Sequence, residues 1–286
     1  MRPSVRAALL MIAAAILFTL ETAAVKAMAG VPIATVVLAR ALGQFVPLAP
    51  VVWRDGLARE GTGLLRTREL PLQLLRGTLS ICSWGLYYNA FSALPLATAT
   101  VLSFTAVLFT TALAGPVLGE AVGRARWGAT LVGFLGVLVI LRPGALPVEW
   151  AALGALVSAL LGAAVTLATR ALAQGERIDT IMLYVGLITL AGALPAAWPG
   201  LEWPGWRNAG LLAVVGLLGA TGMRWTIHAL RLADASLIAP LGYVRLVFAA
   251  LAGALLFGER LDAWLALGAA LILGSALYVV RTARRR

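Results

Sequence analysis

The sequence is poor in the residues that most chemistry needs. It holds one cysteine, Cys82, and one histidine, His228, and charged residues make up only 12% of its 286 positions, where a soluble domain carries roughly a quarter. A single cysteine excludes an internal disulfide, and the inventory offers no metal-ligand cluster, so neither a metal nor a cofactor is expected. No Walker motif is present, which excludes a nucleotide-driven motor within the chain. Long polar stretches are missing too: the longest, Arg54 to Pro71, is under twenty residues and leaves no room for a soluble domain. An enzyme acting on lipids would need a nucleophile and base, or metal ligands, gathered at an interface, and that constellation is absent.

What the chain has in quantity is apolar surface, at 61% of residues. It recurs in windows long enough to cross roughly 30 Å of hydrocarbon: 6–27, 32–53, 72–93, 97–118, 125–141, 149–172, 179–198, 206–230, 234–257 and 261–280. Ten such windows predict an all-α membrane protein with ten transmembrane helices. The runs are continuous and rich in Ala, Leu and Gly, which excludes the alternating strands of a barrel.

The net charge of +11 is not a nucleic-acid signature, because of where the charge sits. With a cytoplasmic N-terminus and ten crossings, fifteen basic residues fall inside and three, Arg142, Arg207 and Arg260, fall outside. The positive-inside rule therefore puts both termini in the cytoplasm and the chain in the inner membrane as a multi-pass protein. The terminal Arg284 to Arg286 are placed at anionic headgroups. The N-terminus also has the look of a signal peptide ending at Ala27-Met28-Ala29. Removing it would leave nine helices and unbalance the two halves, so it is read as the first helix.

The halves matter because the chain repeats itself. The frame A-L-x-L-A-x-A-[TS] occurs at Ala93 to Thr100 and at Ala229 to Ser236, and each copy runs on to a Gly-Glu pair, Gly119-Glu120 and Gly258-Glu259. Helices 1–5 form one unit, residues 1–143, and helices 6–10 a second, residues 144–286. Five is odd, so the second copy must enter the bilayer upside down. Two inverted five-helix repeats with a site between them near the midplane are the architecture of alternating access. Gly115 and Gly119 form a G-x-x-x-G suited to close helix packing.

In these features the chain resembles the drug/metabolite transporter superfamily, in the branch with two EamA domains. The resemblance rests on the ten windows, the paired frames, the Gly-Glu closures and Gly242-Tyr243-Val244-Arg245 ahead of Phe257-Gly258-Glu259, and spans about residues 5–141 and 149–280. It implies a shared fold with varied cargo, amino acids, nucleoside-like metabolites, vitamins or toxic compounds, moved by export or uptake. It also implies a central cavity lined mainly by helices 1, 3, 4, 6, 8 and 9.

Charge inside the spans points to the site, because it is costly there unless paired or wet. Glu21 is the one acid more than two residues inside a span, and Lys26, Arg40, Arg76, Arg224 and Arg245 are the bases singled out in or near the spans. Glu21 lies roughly 9 Å from the outer end of helix 1 and Arg40 roughly 12 Å from the outer start of helix 2. They are read either as a structural ion pair or as a proton-exchanging acid tuned by its neighbour. Lys26 is read as a snorkelling interface residue. Arg245, near the midplane with Tyr243 and just after the helix-breaking Pro240, is a candidate substrate contact or a brace for the fold. Arg224 shares a helix face with His228 and is a candidate inward gate or anion-attracting vestibule. Trp84, Tyr88 and Asn89 on helix 3 offer an aromatic and amide surface for a ligand, with the aromatic belt as the competing role for the tyrosine.

One acid against Arg40, Arg224 and Arg245 makes the expected cavity positive. The function expected is a secondary transporter for a small amino acid or other carboxylate-bearing or zwitterionic metabolite, driven by protons or by exchange, as a monomer or homodimer. The alternative within the same fold is flipping of a lipid-linked substrate.

Overall fold

A backbone in hydrocarbon must satisfy its own hydrogen bonds, and within a single segment only a helix does so. A computed structural model of the chain describes residues 2–28, 30–55, 63–93, 96–141, 150–257 and 263–285, and among these there is no strand. The helices are α1 (Pro3–Lys26), α2 (Ile33–Gly43), α3 (Ala49–Asp55), α4 (Leu70–Ala93), α5 (Leu96–Leu118), α6 (Arg124–Leu141), α7 (Trp150–Gly175), α8 (Ile178–Ala197), α9 (Gly205–Leu232), α10 (Ala235–Ile238), α11 (Val244–Phe257) and α12 (Ala263–Arg285). Among the described residues, seven segments are long and apolar enough to cross a membrane: Pro3–Val25, Ile33–Arg54, Trp150–Gly175, Ile178–Gly200, Gly205–Leu232, Ala235–Leu256 and Ala263–Thr282. The windows at 72–93, 97–118 and 125–141 are occupied by helices α4, α5 and α6, which are not among those seven. α4 carries Gln73, Arg76, Ser80 and Ser83 along its length.

Two of the seven segments are broken where proline removes a backbone donor. A 3₁₀ turn at Val46–Leu48, around Pro47, joins α2 to α3. A second, Ala239–Tyr243 around Pro240, joins α10 to α11.

The helices pack in a pattern that crosses the middle of the chain. α1 lies along α9 and α4 along α7; α5 also packs on α7 and α1 on α11; α2 packs on α8 and α9, α8 also on α4, and α6 runs along α12. Side chains are removed where these helices must come closest. A Cβ on Gly136 would fall 2.7 Å from the Gly268 carbonyl oxygen, and one on Gly216 would fall 2.8 Å from the Ala39 carbonyl oxygen. The G-x-x-x-G of α5 does different work. Gly119 takes φ +68° and ends the helix, its N–H bonded to the Gly115 carbonyl at 2.8 Å, while a Cβ on Gly115 would meet only the Glu120 carbonyl oxygen. That is a left-handed C-terminal cap, for which glycine is the natural residue.

The outer surface suits lipid. Leu9, Ile16 and Leu20 on α1 and Leu267, Leu273 and Leu277 on α12 are exposed, a pattern that in water would be an aggregation hazard. Trp150, Trp198, Trp203, Trp206 and Trp264 are exposed at helix ends, as in an interfacial aromatic belt. The opposite end of the bundle, where α1 begins, is rich in arginine and cross-tied. Glu120 accepts hydrogen bonds from the Ala235 and Ser236 amides and the Ser236 hydroxyl at 2.7–3.0 Å, capping α10. Arg126 reaches Asp234 at 2.6 Å, and Arg170 lies 3.4 Å from Asp234 and 3.6 Å from Glu120. Glu176 in turn accepts from the Thr67 hydroxyl and the Arg68 and Glu69 amides at the start of α4. Gly258, Glu259 and the connector from Arg142 to Pro147 lie outside the described residues.

Candidate functional site

Of the charged residues singled out from sequence, Glu21, Arg40, Arg76 and Arg245 converge on the space between α1, α2, α4, α9 and α11. Arg40 Nε stands 2.9 Å from Glu21 Oε1, with both side chains mostly buried. Its N–H is not aligned as a hydrogen-bond donor, so this is a contact of charges. The Arg40 guanidinium also lies over two rings, 5.7 Å from the centroid of Phe18 and 5.4 Å from that of Trp84. Arg245 approaches Phe18 as well, at 5.6 Å, and donates to the Thr22 hydroxyl at 2.8 Å. Phe18 is thus shared by two cations, each gaining a π face.

Beneath this layer is a cavity of about 80 Å³ lined by Arg40, Gln44, Arg76, Ser80, Trp84 and Thr189, with Ala41, Val165, Val185 and Met223 completing its wall. A site of that size takes more than one water, for which about 10–15 Å³ of such space is enough. Accessibility falls through the layers. Thr22 and Arg245 are exposed, Arg40 and Trp84 are half-buried, and Arg76 and Gln73 are 3% and 1% exposed.

Arg76, Gln44 and Phe18 were not chosen from sequence as ligand contacts. Arg76, Ser80 and Trp84 follow at intervals of four on α4 and so share a face, a spacing that a search for charge alone passes over. The α4 stripe continues in sequence to Tyr88, but the side chains of Tyr88, Asn89 and Lys26 lie outside the described residues.

Two expected members sit elsewhere. Tyr243 is fully buried, its ring between Phe104 at 5.8 Å and Phe134 at 6.3 Å, and its hydroxyl has no partner. Positions two apart point to opposite sides of a helix, and Tyr243 and Arg245 diverge accordingly. Arg224 is engaged by Asp179 of α8, Nη1 to Oδ1 at 2.6 Å, so its charge is already balanced. His228, one turn further along α9, is half-buried. Among the described residues no group of His, Cys, Asp and Glu is arranged to hold a metal.

The model of the EamA-like transporter family matches residues 5–142 and again 149–281. The chain is a member of that family. It is 36% identical over 232 residues to the riboflavin transporter of Rhizobium johnstonii, covering 80% of this chain and 76% of that protein. It is 31% identical over 255 residues to the riboflavin transporter of Vibrio cholerae, covering 88% and 84%. Against the S-adenosylmethionine uptake transporter of Rickettsia prowazekii it is 28% identical over 225 residues, covering 79% and 76%. A solved crystal structure matches its fold with a TM-score of 0.83 at 22% identity, over 100% of this chain and 99% of that one. This EamA protein therefore belongs with membrane transporters of small molecules, in a bacterial family whose members are multi-pass, and not with enzymes.

Proposed function

We propose that this EamA protein is a secondary transporter that moves a planar heterocyclic metabolite across the inner membrane by alternating access, with riboflavin as the first cargo to test. The observation that carries the reading is the stack over the cavity: the Arg40 guanidinium on Trp84 and Phe18, above Gln44, Arg76 and Thr189. An aromatic and guanidinium ceiling suits a flat ring, and the polar floor suits its carbonyl and ring-nitrogen edge. Riboflavin and S-adenosylmethionine, the compounds in the names of the relatives above, share a flat nitrogen heterocycle bearing sugar-derived hydroxyls.

The mechanism follows from the packing. Exchanging the two halves of the chain maps α1 onto α7 and α4 onto α9, and the helix pairs survive that exchange: α1 with α9 becomes α7 with α4, and α1 with α11 becomes α7 with α5. This supports ten crossings in two inverted repeats, residues 1–143 and 144–286, with the cargo at their interface. The arginine-rich end is read as cytoplasmic, both termini included. The ties of Glu120 to α10 and Glu176 to α4 close that end, and the greater accessibility of Thr22 and Arg245 supports a state open to the outside. Glu21 is read as the acid that exchanges a proton while Arg40 alternates between it and the cargo.

A second reading is favoured by the charges at the cavity. Three arginines, Arg40, Arg76 and Arg245, stand in these layers against one acid, Glu21, which suits an amino acid or another carboxylate-bearing or zwitterionic compound. Counterflow in proteoliposomes decides between them. Accumulation of labelled riboflavin, competed by unlabelled riboflavin and lost in Trp84→Ala, supports the first reading. Accumulation of labelled amino acids without riboflavin or S-adenosylmethionine supports the second. Movement of no soluble compound overturns both in favour of a lipid-linked cargo.

A further inference from the structure

Arg76 holds a charge that no described residue balances. It is 3% exposed on α4. Its Nε–H donates to the Thr169 hydroxyl at 2.6 Å, and its Nη2 lies 3.8 Å from the Met223 sulfur. Arg40, Arg126, Arg170 and Arg224 each face a carboxylate, whereas among the described residues Arg76 faces none. A hydroxyl and a thioether do not neutralise a guanidinium, and an uncompensated cation at this depth destabilises the empty protein. The same guanidinium lines the cavity, where Gln44 is 3% exposed and its Oε1 has no partner among the described residues. One wall therefore offers unused N–H donors and another an unused acceptor, and both are desolvated in advance.

We propose that Arg76 and Gln44 form a subsite for an oxygen-acceptor edge of the cargo: two oxygens with full or partial negative charge, supplied by a flavin's pyrimidine dione or by a carboxylate. Arg76 donates to an oxygen and supplies the countercharge. The orphan Gln44 acceptor suits the dione in particular, because the imide N–H between the two carbonyls can donate to it, and a carboxylate has no such proton. This deepens the transporter reading, but the charge deficit at Arg76 exists whatever the cargo.

The test uses purified full-length protein in nanodiscs as wild type, Arg76→Met, Arg76→Lys and Gln44→Leu. The probes are riboflavin and N3-methylriboflavin, followed by flavin fluorescence, and sodium acetate, followed by thermal shift. The expected result is riboflavin binding weakened by at least about tenfold in Arg76→Met and by less in Arg76→Lys. Empty Arg76→Met melts at or above the wild-type temperature, because a buried charge has been removed. The wild type prefers riboflavin to its N3-methyl form, and Gln44→Leu loses that preference. Acetate raises the melting temperature of the wild type and leaves that of Arg76→Met unmoved.

Unchanged flavin binding in Arg76→Met overturns the subsite for flavins. A lower melting temperature in both Arg76 variants, with binding intact, makes Arg76 a brace and overturns the proposal outright. Acetate binding that needs Arg76, without flavin binding, keeps the subsite and removes flavin as the cargo. Failure of the wild type to bind either probe overturns the subsite itself.

Discussion

Arg40 and Glu21 meet at 2.9 Å on two consecutive helices, at the top of the cavity and against the rings of Phe18 and Trp84. The arginine is the more accessible partner, at 24% against 11% for the glutamate side chain. Losing one member strands the other, and losing both does not. Glu21→Gln and Arg40→Gln are each expected to destabilise the protein by about 2–3 kcal/mol, and the double variant by less than their sum. Thermal unfolding of the four proteins in one detergent checks this. Additive losses would mean that the pair is a crystal-like proximity with no energetic coupling.

The same substitution separates the structural role of Glu21 from coupling. If Glu21 exchanges a proton, Glu21→Gln keeps counterflow of the cargo and loses the response of uptake to an imposed pH gradient. An unchanged gradient response in Glu21→Gln assigns the residue to structure alone.

How much of this was legible in the sequence depends on what each residue's environment required. Long apolar runs force helices whatever their neighbours, so the helical windows and the break at Pro240 could be read directly. Glu21 and Arg40 could be matched because a charge in hydrocarbon needs a partner at its own depth. Tyr243 could not be placed, because its seat between Phe104 and Phe134 is set by residues more than a hundred positions away. Arg224 looked free because Asp179, its partner, lies at the first turn of α8 and reads as an end residue. Arg76 stood among the intramembrane cations, but the lack of a carboxylate near it is a fact of packing that no spacing reveals.

Tyr243 offers a test with an unusual sign. Its hydroxyl is buried without a partner between two phenylalanines, so removing the oxygen removes a desolvation cost. Tyr243→Phe is expected to stabilise the protein by about 1 kcal/mol and to leave transport at wild-type rate. Tyr243→Ala opens a cavity beside Gly133 and is expected to cost about 3–5 kcal/mol. A transport defect in the phenylalanine variant at normal stability would return Tyr243 to the list of cargo contacts.

Arg224 and Asp179 are expected to behave as a gate post and not as a cargo site. The pair is partly accessible, with side chains 28% and 17% exposed, so its worth is reduced by solvent. Arg224→Ala is expected to cost about 1–2 kcal/mol and to lower the transport rate with little change in apparent affinity. A large rise in KM with stability unchanged would make Arg224 a cargo contact.

The ties at the arginine-rich end yield the sharpest test of the transport cycle. Glu120, from the first half of the chain, caps α10 of the second, and Glu176, from the second half, caps α4 of the first. Each carboxylate holds a helix start that belongs to the other half, so both ties must lengthen if the halves rock apart at this end. Removing three hydrogen bonds to a helix N-terminus costs about 1–2 kcal/mol in the closed arrangement and nothing in the open one. Glu120→Ala and Glu176→Ala are therefore expected to move the population by about five- to thirtyfold toward the form open at the arginine-rich end. A cysteine replacing Ala235, whose backbone N–H keeps its bond to Glu120, should then, in a Cys82→Ser background, react faster with a hydrophilic maleimide in the alanine variants than in the parent. Excess cargo supplied from the opposite side should slow that reaction again. Equal labelling rates in all of the proteins would show that these caps brace single helices and take no part in opening.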